Sequence, residues 1–282
     1  MAAPYFFLHI PRTAGTTLNS ILCQHFPEEN TISVYSDAEY QKHRYHTTDE
    51  IAHIEFITGH LLLESTDPPS IYGIPVRVLT LLREPIGRLV SEYHFLKTWK
   101  QNHLYALLNE KDISFAQYIQ STEKMLYYRG KNFMTRCIAG MDVKDDPYPQ
   151  EALAKAKHNL AEVFTFVGIQ ERFMESLVML ANLLGMENIL HEKRNALVKG
   201  HAQVSEEDIA LAREMNRADT ELYAFACELF DQRVREQGPT FAKLVDHYTR
   251  LNTHYQKIAS LLQQRAHAEQ GGDIVLPKDG MW

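Results

Sequence analysis

Apolar residues along the chain fall into two rhythms, short continuous runs and three-four spacings, and these predict strands alternating with helices. Residues 5–10 form a mostly apolar run that reads as a short buried strand. It stops at Pro11, which has no N–H to give to a ladder. A compact loop, Arg12-Thr13-Ala14-Gly15, leads into a helical pattern over 16–26. Residues 31–35 and 55–58 are further strand candidates, the second ending at Gly59-His60. The polar, Tyr- and His-rich stretch 36–50 between them reads as a surface loop, as does 61–73 with Pro68-Pro69. Residues 76–82 are strand-like in their apolar run and β-branched content. Pro85 then opens a helix on which Leu89, Tyr93 and Leu96 share a face.

The second half continues the alternation. Ser114 caps a helix over 114–119, and 145–149 is a turn-rich break. A helix over 151–161 precedes the last parallel strand, 163–168. An amphipathic helix over 170–185 turns Phe173, Leu177, Leu180 and Leu184 inward. Residues 186–204 are a polar loop carrying Lys193, Arg194, Lys199 and His201. Ser205 and Asp208 have the form of a capping box that opens one long helix to about Arg235. After Gly238-Pro239, the residues Phe241, Leu244, Tyr248, Leu251, Tyr255, Ile258 and Leu262 make a heptad seam. The seam either pairs with a second copy, giving a homodimer through residues 241–262, or lies along its own domain, which is preferred. Residues 269–282 show no periodicity and read as a mobile tail. The whole is an α/β chain with a main domain over 1–237, an amphipathic helix over 238–268 and that tail.

Composition narrows the function. With 282 residues, 45% hydrophobic and 23% charged, the chain can bury an ordinary globular core. A net charge of −7 argues against nonspecific nucleic-acid binding. Three widely spaced cysteines, Cys23, Cys137 and Cys227, offer no metal spacing and read as reduced thiols. No apolar run approaches the roughly 18 residues of a membrane helix. The first strand begins almost at once, leaving no signal peptide ahead of it. The expectation is a soluble, cytoplasmic, bacterial-type protein.

The candidate chemistry starts at the first loop. A strand, a tight turn with one Gly and a helix start make an anion site, because the first helical N–H groups lack internal partners and the dipole favours negative charge. Arg12 adds a fixed cation, and Thr13, Thr16 and Thr17 add hydroxyls. A Walker loop would need Gly, four residues, then Gly-Lys-Ser/Thr. No Lys stands there, which disfavours the alternative of an Mg²⁺-dependent P-loop kinase of a nucleotide or small molecule.

His9-Ile-Pro-Arg-Thr-Ala-Gly-Thr-Thr17 resembles the 5′-phosphosulfate loop of sulfotransferases that use 3′-phosphoadenosine 5′-phosphosulfate (PAPS). It looks most like the carbohydrate enzymes of the heparan-sulfate 2-O and 6-O type, which usually read His-Ile-Pro-Lys-Thr-Gly-Gly-Thr-Thr. Here Arg12 replaces the lysine and Ala14 a glycine. An arginine holds a phosphate but does not release a proton, so its help is electrostatic. A second block, Arg83-Glu-Pro-Ile-Gly-Arg-Leu-Val-Ser-Glu-Tyr93, is similar to the family's 3′-phosphate site, with Glu84 for the usual Asp.

The resemblance implies a three-layer, P-loop-like fold with a central parallel sheet, and PAPS as sulfate donor with no metal required. It implies donor contacts from Arg12, Thr13, Ala14, Gly15, Thr16, Thr17, Arg83, Arg88 and Ser91, with Lys199 on a closing basic loop. Gly59-His60 resembles the Gly-His that carries the base, so His60 is the expected general base of an in-line displacement assisted by Arg12. His9 reads as a packed core residue, and His94 and Glu64 as weaker rivals. Asn132, Thr135 and Arg136 resemble a run near the cofactor or acceptor. The acidic chain suggests a weakly charged acceptor: a glycan, a glycolipid or a small hydroxylated metabolite. Eukaryotic relatives are anchored Golgi enzymes, so a Golgi luminal domain without its anchor is the alternative location. A nucleotide-binding module without catalysis is the other functional alternative.

Overall fold

The structure is a computed structural model that describes residues 3–43, 51–61, 69–141, 149–192 and 204–269. Its strands are β1 (Tyr5–Leu8), β2 (Thr31–Val34), β3 (Phe56–Gly59), the short hairpin β4 (Ser70–Ile71) and β5 (Ile74–Pro75), β6 (Arg77–Leu82) and β7 (Phe166–Ile169). Its helices are α1 (Gly15–His25), α2 (Asp37–His43), α3 (Pro85–Thr98), α4 (Tyr105–Glu110), α5 (Phe115–Gln120), α6 (Lys124–Gly130) and α7 (Phe133–Ala139). They continue as α8 (Gln150–His158), α9 (Phe173–Leu184), α10 (Glu206–Met215), α11 (Arg217–Glu236) and α12 (Phe241–Glu269).

Five strands form one parallel sheet in the order β2-β3-β1-β6-β7. The central strand β1 is buried on both faces, as its nearly unbroken apolar run requires, and Phe6 and Phe7 are wholly inaccessible. Tyr5 stands level with Phe56 on one side and Arg77 on the other, so the carboxyl ends of β1 and β6 lie side by side. The chain after β1 leads toward β2 and β3, and the chain after β6 leads toward β7. This divergence opens the crevice in which open α/β sheets bind ligands. A second apolar cluster joins Leu89, Tyr93 and Leu96 of α3 to Leu108 of α4, Phe115 and Tyr118 of α5 and Ala212 of α10.

Several local expectations change. Part of the stretch read as a loop over 36–50 is the helix α2. Ser36 and Glu39 cap it reciprocally, the Glu39 carboxylate accepting from the Ser36 N–H at 2.8 Å and Ser36 Oγ accepting from the Glu39 N–H at 3.3 Å. The helix read as continuous over 205–235 breaks at Asn216, whose side chain turns away to bond the Asn132 N–H and the Ala212 carbonyl. A π-helical turn, Asn159–Val163, delays the last strand to Phe166. The tail beyond residue 269 and the basic loop with Lys193, Arg194, Lys199 and His201 lie outside the described residues.

The C-terminal helix α12 packs against α9. Phe241 and Asn252 are buried, and Val245 and Tyr248 half-buried, on the face toward the domain. Leu244, Leu251, Tyr255, Ile258 and Leu262 are exposed along the flank of that face. The heptad seam is therefore covered at Phe241 and Tyr248 and left open at its other positions. Among the described residues no helix is long and apolar enough to cross a membrane.

Candidate active site

The loop between β1 and α1 is held in an unusual backbone shape. Arg12 (φ 68°) and Ala14 (φ 65°) both occupy the left-handed region, which L-residues adopt at a cost of about 1 kcal/mol or more each. Thr13, wholly buried between them, donates its hydroxyl to the Ile10 carbonyl at 2.8 Å and so locks the turn from inside. Its side chain is a correction to the sequence reading: it faces the core rather than a ligand. Gly15 allows close approach, since a Cβ there would stand 2.1 Å from the His9 ring.

Two arginines tie the two sequence blocks together. Arg12 Nε donates to Ser91 Oγ at 3.1 Å, and Arg83 Nη1 donates to the Arg12 carbonyl at 3.0 Å. Because Ser91 accepts from Arg12, its own hydroxyl proton remains to be given elsewhere. The Arg12 guanidinium also lies 4.6 Å over the Phe95 ring. Burial, foremost, depresses the pKa of both arginines. For Arg12, Glu92 opposes that shift while Arg83 and Arg88 add to it.

A cavity of about 590 Å³ opens over this loop. Arg12, Ala14, Gly15, Thr16, Thr17, Arg83 and Ser91 all line it, so seven of the expected donor residues share one wall. Arg88 is the second correction. It is only 1% exposed, donates Nη2 to the Arg129 carbonyl at 3.0 Å and stands one turn from Glu92 on α3, behind the cavity. Lys199 and Glu64 lie outside the described residues. The far wall was not read from the sequence: Gln170, Glu171, Phe173 and Met174 after β7, His191, and Thr249, Asn252, Thr253 and Gln256 of α12.

Arg12 and Thr16 also face a second cleft of about 450 Å³. Its lining mixes the aromatic rings of Tyr35, Phe95 and Trp99 with polar Ser36, Asn102, Glu92, Arg129 and His60. Aromatic faces with a few directed polar groups suit a ring that has both an apolar face and hydroxyls. Glu92 is wholly buried and accepts from Arg129 Nη1 at 2.8 Å. Burial alone would raise its pKa, but Arg129, Arg88 and Arg12 together outweigh that and hold the carboxyl below its usual range.

His60 stands at the edge of this cleft. Gly59 precedes it because a Cβ would meet the Val34 carbonyl oxygen of β2 at 2.1 Å. The His60 Nδ1 lies 2.7 Å from the His9 carbonyl, which can only accept, so Nδ1 carries the proton and Nε2 keeps a free lone pair. Although one edge of the ring reaches solvent, the surrounding protein lowers its pKa to about 4. Desolvation is the main cause, opposed by the bond to His9.

His9 is oriented by a chain of hydroxyls. Thr58 Oγ1 donates to Asn19 Oδ1 at 2.7 Å, so it accepts from the Tyr35 hydroxyl at 2.8 Å. Tyr35 in turn accepts from His9 Nδ1 at 3.0 Å. His9 is buried as expected, with its pKa well below the usual value through burial first, then His60 and Arg12. His94 is buried on α3 and lines neither cleft.

Asn132, Thr135 and Arg136 belong to a structural joint instead of either cleft. Asp219 accepts from the Met134 N–H, the Thr135 N–H and the Thr135 hydroxyl, closing the N-terminus of α7. Asn132 Oδ1 accepts from the Asp219 N–H at 3.2 Å, and Arg136 Nε donates to the Lys131 carbonyl at 3.1 Å.

Comparison with known proteins points the same way as this arrangement. The family model described as Galactose-3-O-sulfotransferase matches residues 3–274. Galactose-3-O-sulfotransferase 3 of Mus musculus is 28% identical over 255 residues, covering 82% of this chain and 57% of the mouse protein. The Homo sapiens protein of the same name is 27% identical over the same length. The chain thus spans a little over half the length of these relatives. A solved structure of mouse sulfotransferase SULT7A1 complexed with PAP aligns at 12% identity and a TM-score of 0.36, over 78% of this chain and 66% of that one, too remote to carry an argument.

Proposed function

The chain belongs to the galactose-3-O-sulfotransferase family, and from that premise we propose that it moves the sulfuryl group of PAPS to a hydroxyl of a galactose-containing glycan. The observation that carries the proposal is the convergence of Arg12, Arg83, Ser91 and the start of α1 on one cavity. Its size falls within the range that encloses small ligands, and its donors suit two separate anionic groups. Arg12 and the α1 N-terminus hold the 5′ end of the donor and stabilise the negative charge that grows there as the sulfuryl group leaves. Arg83 and the free hydroxyl proton of Ser91 hold the 3′-phosphate.

The acceptor enters the neighbouring cleft, whose aromatic and polar lining suits a sugar, and meets the donor across Arg12 and Thr16. His60, with its Nδ1–H anchored on the His9 carbonyl, presents Nε2 to take the acceptor hydroxyl's proton while attacking and leaving oxygens stay in line.

The test is calorimetric titration with 3′-phosphoadenosine 5′-phosphate, with ATP and Mg²⁺ as control, for wild type and Arg83→Ala. Micromolar binding of the bisphosphate that weakens at least tenfold in the variant is expected. Preference for ATP with Mg²⁺ would overturn the donor assignment.

A further inference from the structure

The donor cavity has two chemically different walls. Arg12, Arg83, Ser91 and the start of α1 form the first. The second is built from Gln170 and Glu171 after β7, Phe173 and Met174 of α9, His191, and α12, whose Thr249, Asn252, Thr253 and Gln256 are all neutral; its one carboxylate, Glu171, accepts from the Glu84 N–H and the Tyr223 hydroxyl. Once two phosphates are held by the first wall, what is left of a nucleotide is a flat, uncharged base with apolar faces and an edge of mixed donors and acceptors. The second wall has matching chemistry.

We propose that α12 completes the donor site and reads the adenine base, with Gln256 as the base-reading side chain and Asn252 as the positioning residue. The inference rests on PAPS being the donor. A primary amide is the neutral side chain that sets a donor beside an acceptor, the pattern that pairs with adenine N6 and N7. Phe173 and Met174 offer a ring and a thioether to the faces of the base.

The role of Asn252 follows from its bonds. It is 4% exposed on the inward face of α12, where the neighbours in that stripe are Phe241, Val245 and Tyr248. A buried polar residue in an apolar stripe fixes register when it is fully bonded. Its Oδ1 accepts from the His191 N–H at 2.8 Å, and its Nδ2 lies 3.3 Å from His191 Nε2. His191 Nδ1 lies 3.0 Å from the Ile189 carbonyl and must carry the ring proton, so Nε2 accepts from Asn252. The amide thus clamps α12 against the segment after α9. Gln256 follows one turn later on the same face and lines the cavity.

The experiment compares 3′-phosphoadenosine 5′-phosphate with the 3′,5′-bisphosphate of cytidine, which keeps both phosphates and changes the base. Wild type should bind the adenine compound at least tenfold more tightly. Gln256→Leu, at a half-exposed position, should bring that ratio near one while leaving the cytidine affinity unchanged. Asn252→Leu should weaken both ligands and speed amide exchange across 241–269. Should Asn252→Leu fail to fold, Gln256→Leu in full-length protein carries the test, together with amide exchange on wild type. There the adenine compound should slow exchange over 249–256 as well as around the β1–α1 loop. An unchanged base preference in Gln256→Leu, or slowed exchange at the loop alone, would overturn the role of α12 and leave the donor assignment standing. Wild type binding neither bisphosphate would overturn the donor assignment and this inference with it.

Discussion

At the scale of single residues, the site is governed by tautomers and by two strained backbone positions. His60 is neutral over most of the pH range, because its pKa is lowered to about 4. A base works in its unprotonated form, so with His60 in the proposed role activity is retained above that pKa and lost on acidification through it. The acid limb of kcat/KM is therefore expected near pH 4 instead of 6.5, and a pH–rate profile with its limb at 6.5 would assign the base elsewhere. His60→Gln should lower kcat by roughly 10²–10⁴ with little change in binding of the bisphosphate. Ala14 carries φ 65° where the resembling enzymes have glycine. Ala14→Gly relieves about 1 kcal/mol of strain and gives back part of it as chain entropy. A net rise of a degree or two in Tm is expected; a fall would show that the Ala14 methyl is supported by its surroundings.

At the scale of elements, helices are joined by capping side chains. Asp219 of α11 satisfies the first amides of α7 from more than eighty residues away. Asp219→Ala orphans these buried donors and should cost on the order of 3 kcal/mol, read as a lowered midpoint in urea at unchanged slope. A loss under 1 kcal/mol would mean that α7 recaps itself. This joint also explains what the sequence concealed. Asn132, Thr135 and Arg136 look like ligands in one dimension because polar residues clustered on a short segment serve caps and sites equally well. Arg88 sits in a motif with Arg83 and one turn from Ser91 on α3, yet its guanidinium is directed to the Arg129 carbonyl beside the buried Glu92 and does not line the cavity. The strands and the two strand-to-helix blocks that line the first cavity were legible because both depend on local chemistry: apolar runs, Pro11, Pro85 and the residues at strand ends. The far wall of that cavity was not. Nothing in the periodicity of 241–262 says which element α12 will face, and its one informative residue, Asn252, reads as an ordinary polar interruption.

At the scale of the whole molecule, the two clefts proposed for donor and acceptor share Arg12 and Thr16. The two neighbouring histidines below them link the site to stability. His9 and His60 both have folded pKa values below the unfolded value of about 6.5. Above that pH both states are neutral and the stability is fully present. As pH falls from about 6.5 toward 4, the unfolded chain takes up protons that the native state refuses, so stability declines. Thermal melts at pH 7.5, 6 and 5 should show a falling Tm, with a shallower fall in His60→Gln; a flat profile would refute it.

The central position of β1 has a further consequence, one of time. The cradle loop leaves the ribosome before either strand that flanks β1, which pairs with residues about fifty and about seventy positions later. Such pairings are slow to find because a long loop must close before either is rewarded. During synthesis this loop therefore waits without a shape. A nascent fragment that stops short of β6 carries the whole loop sequence without Arg83, and the proposed binding of anions should appear only when that second arginine arrives beside Arg12.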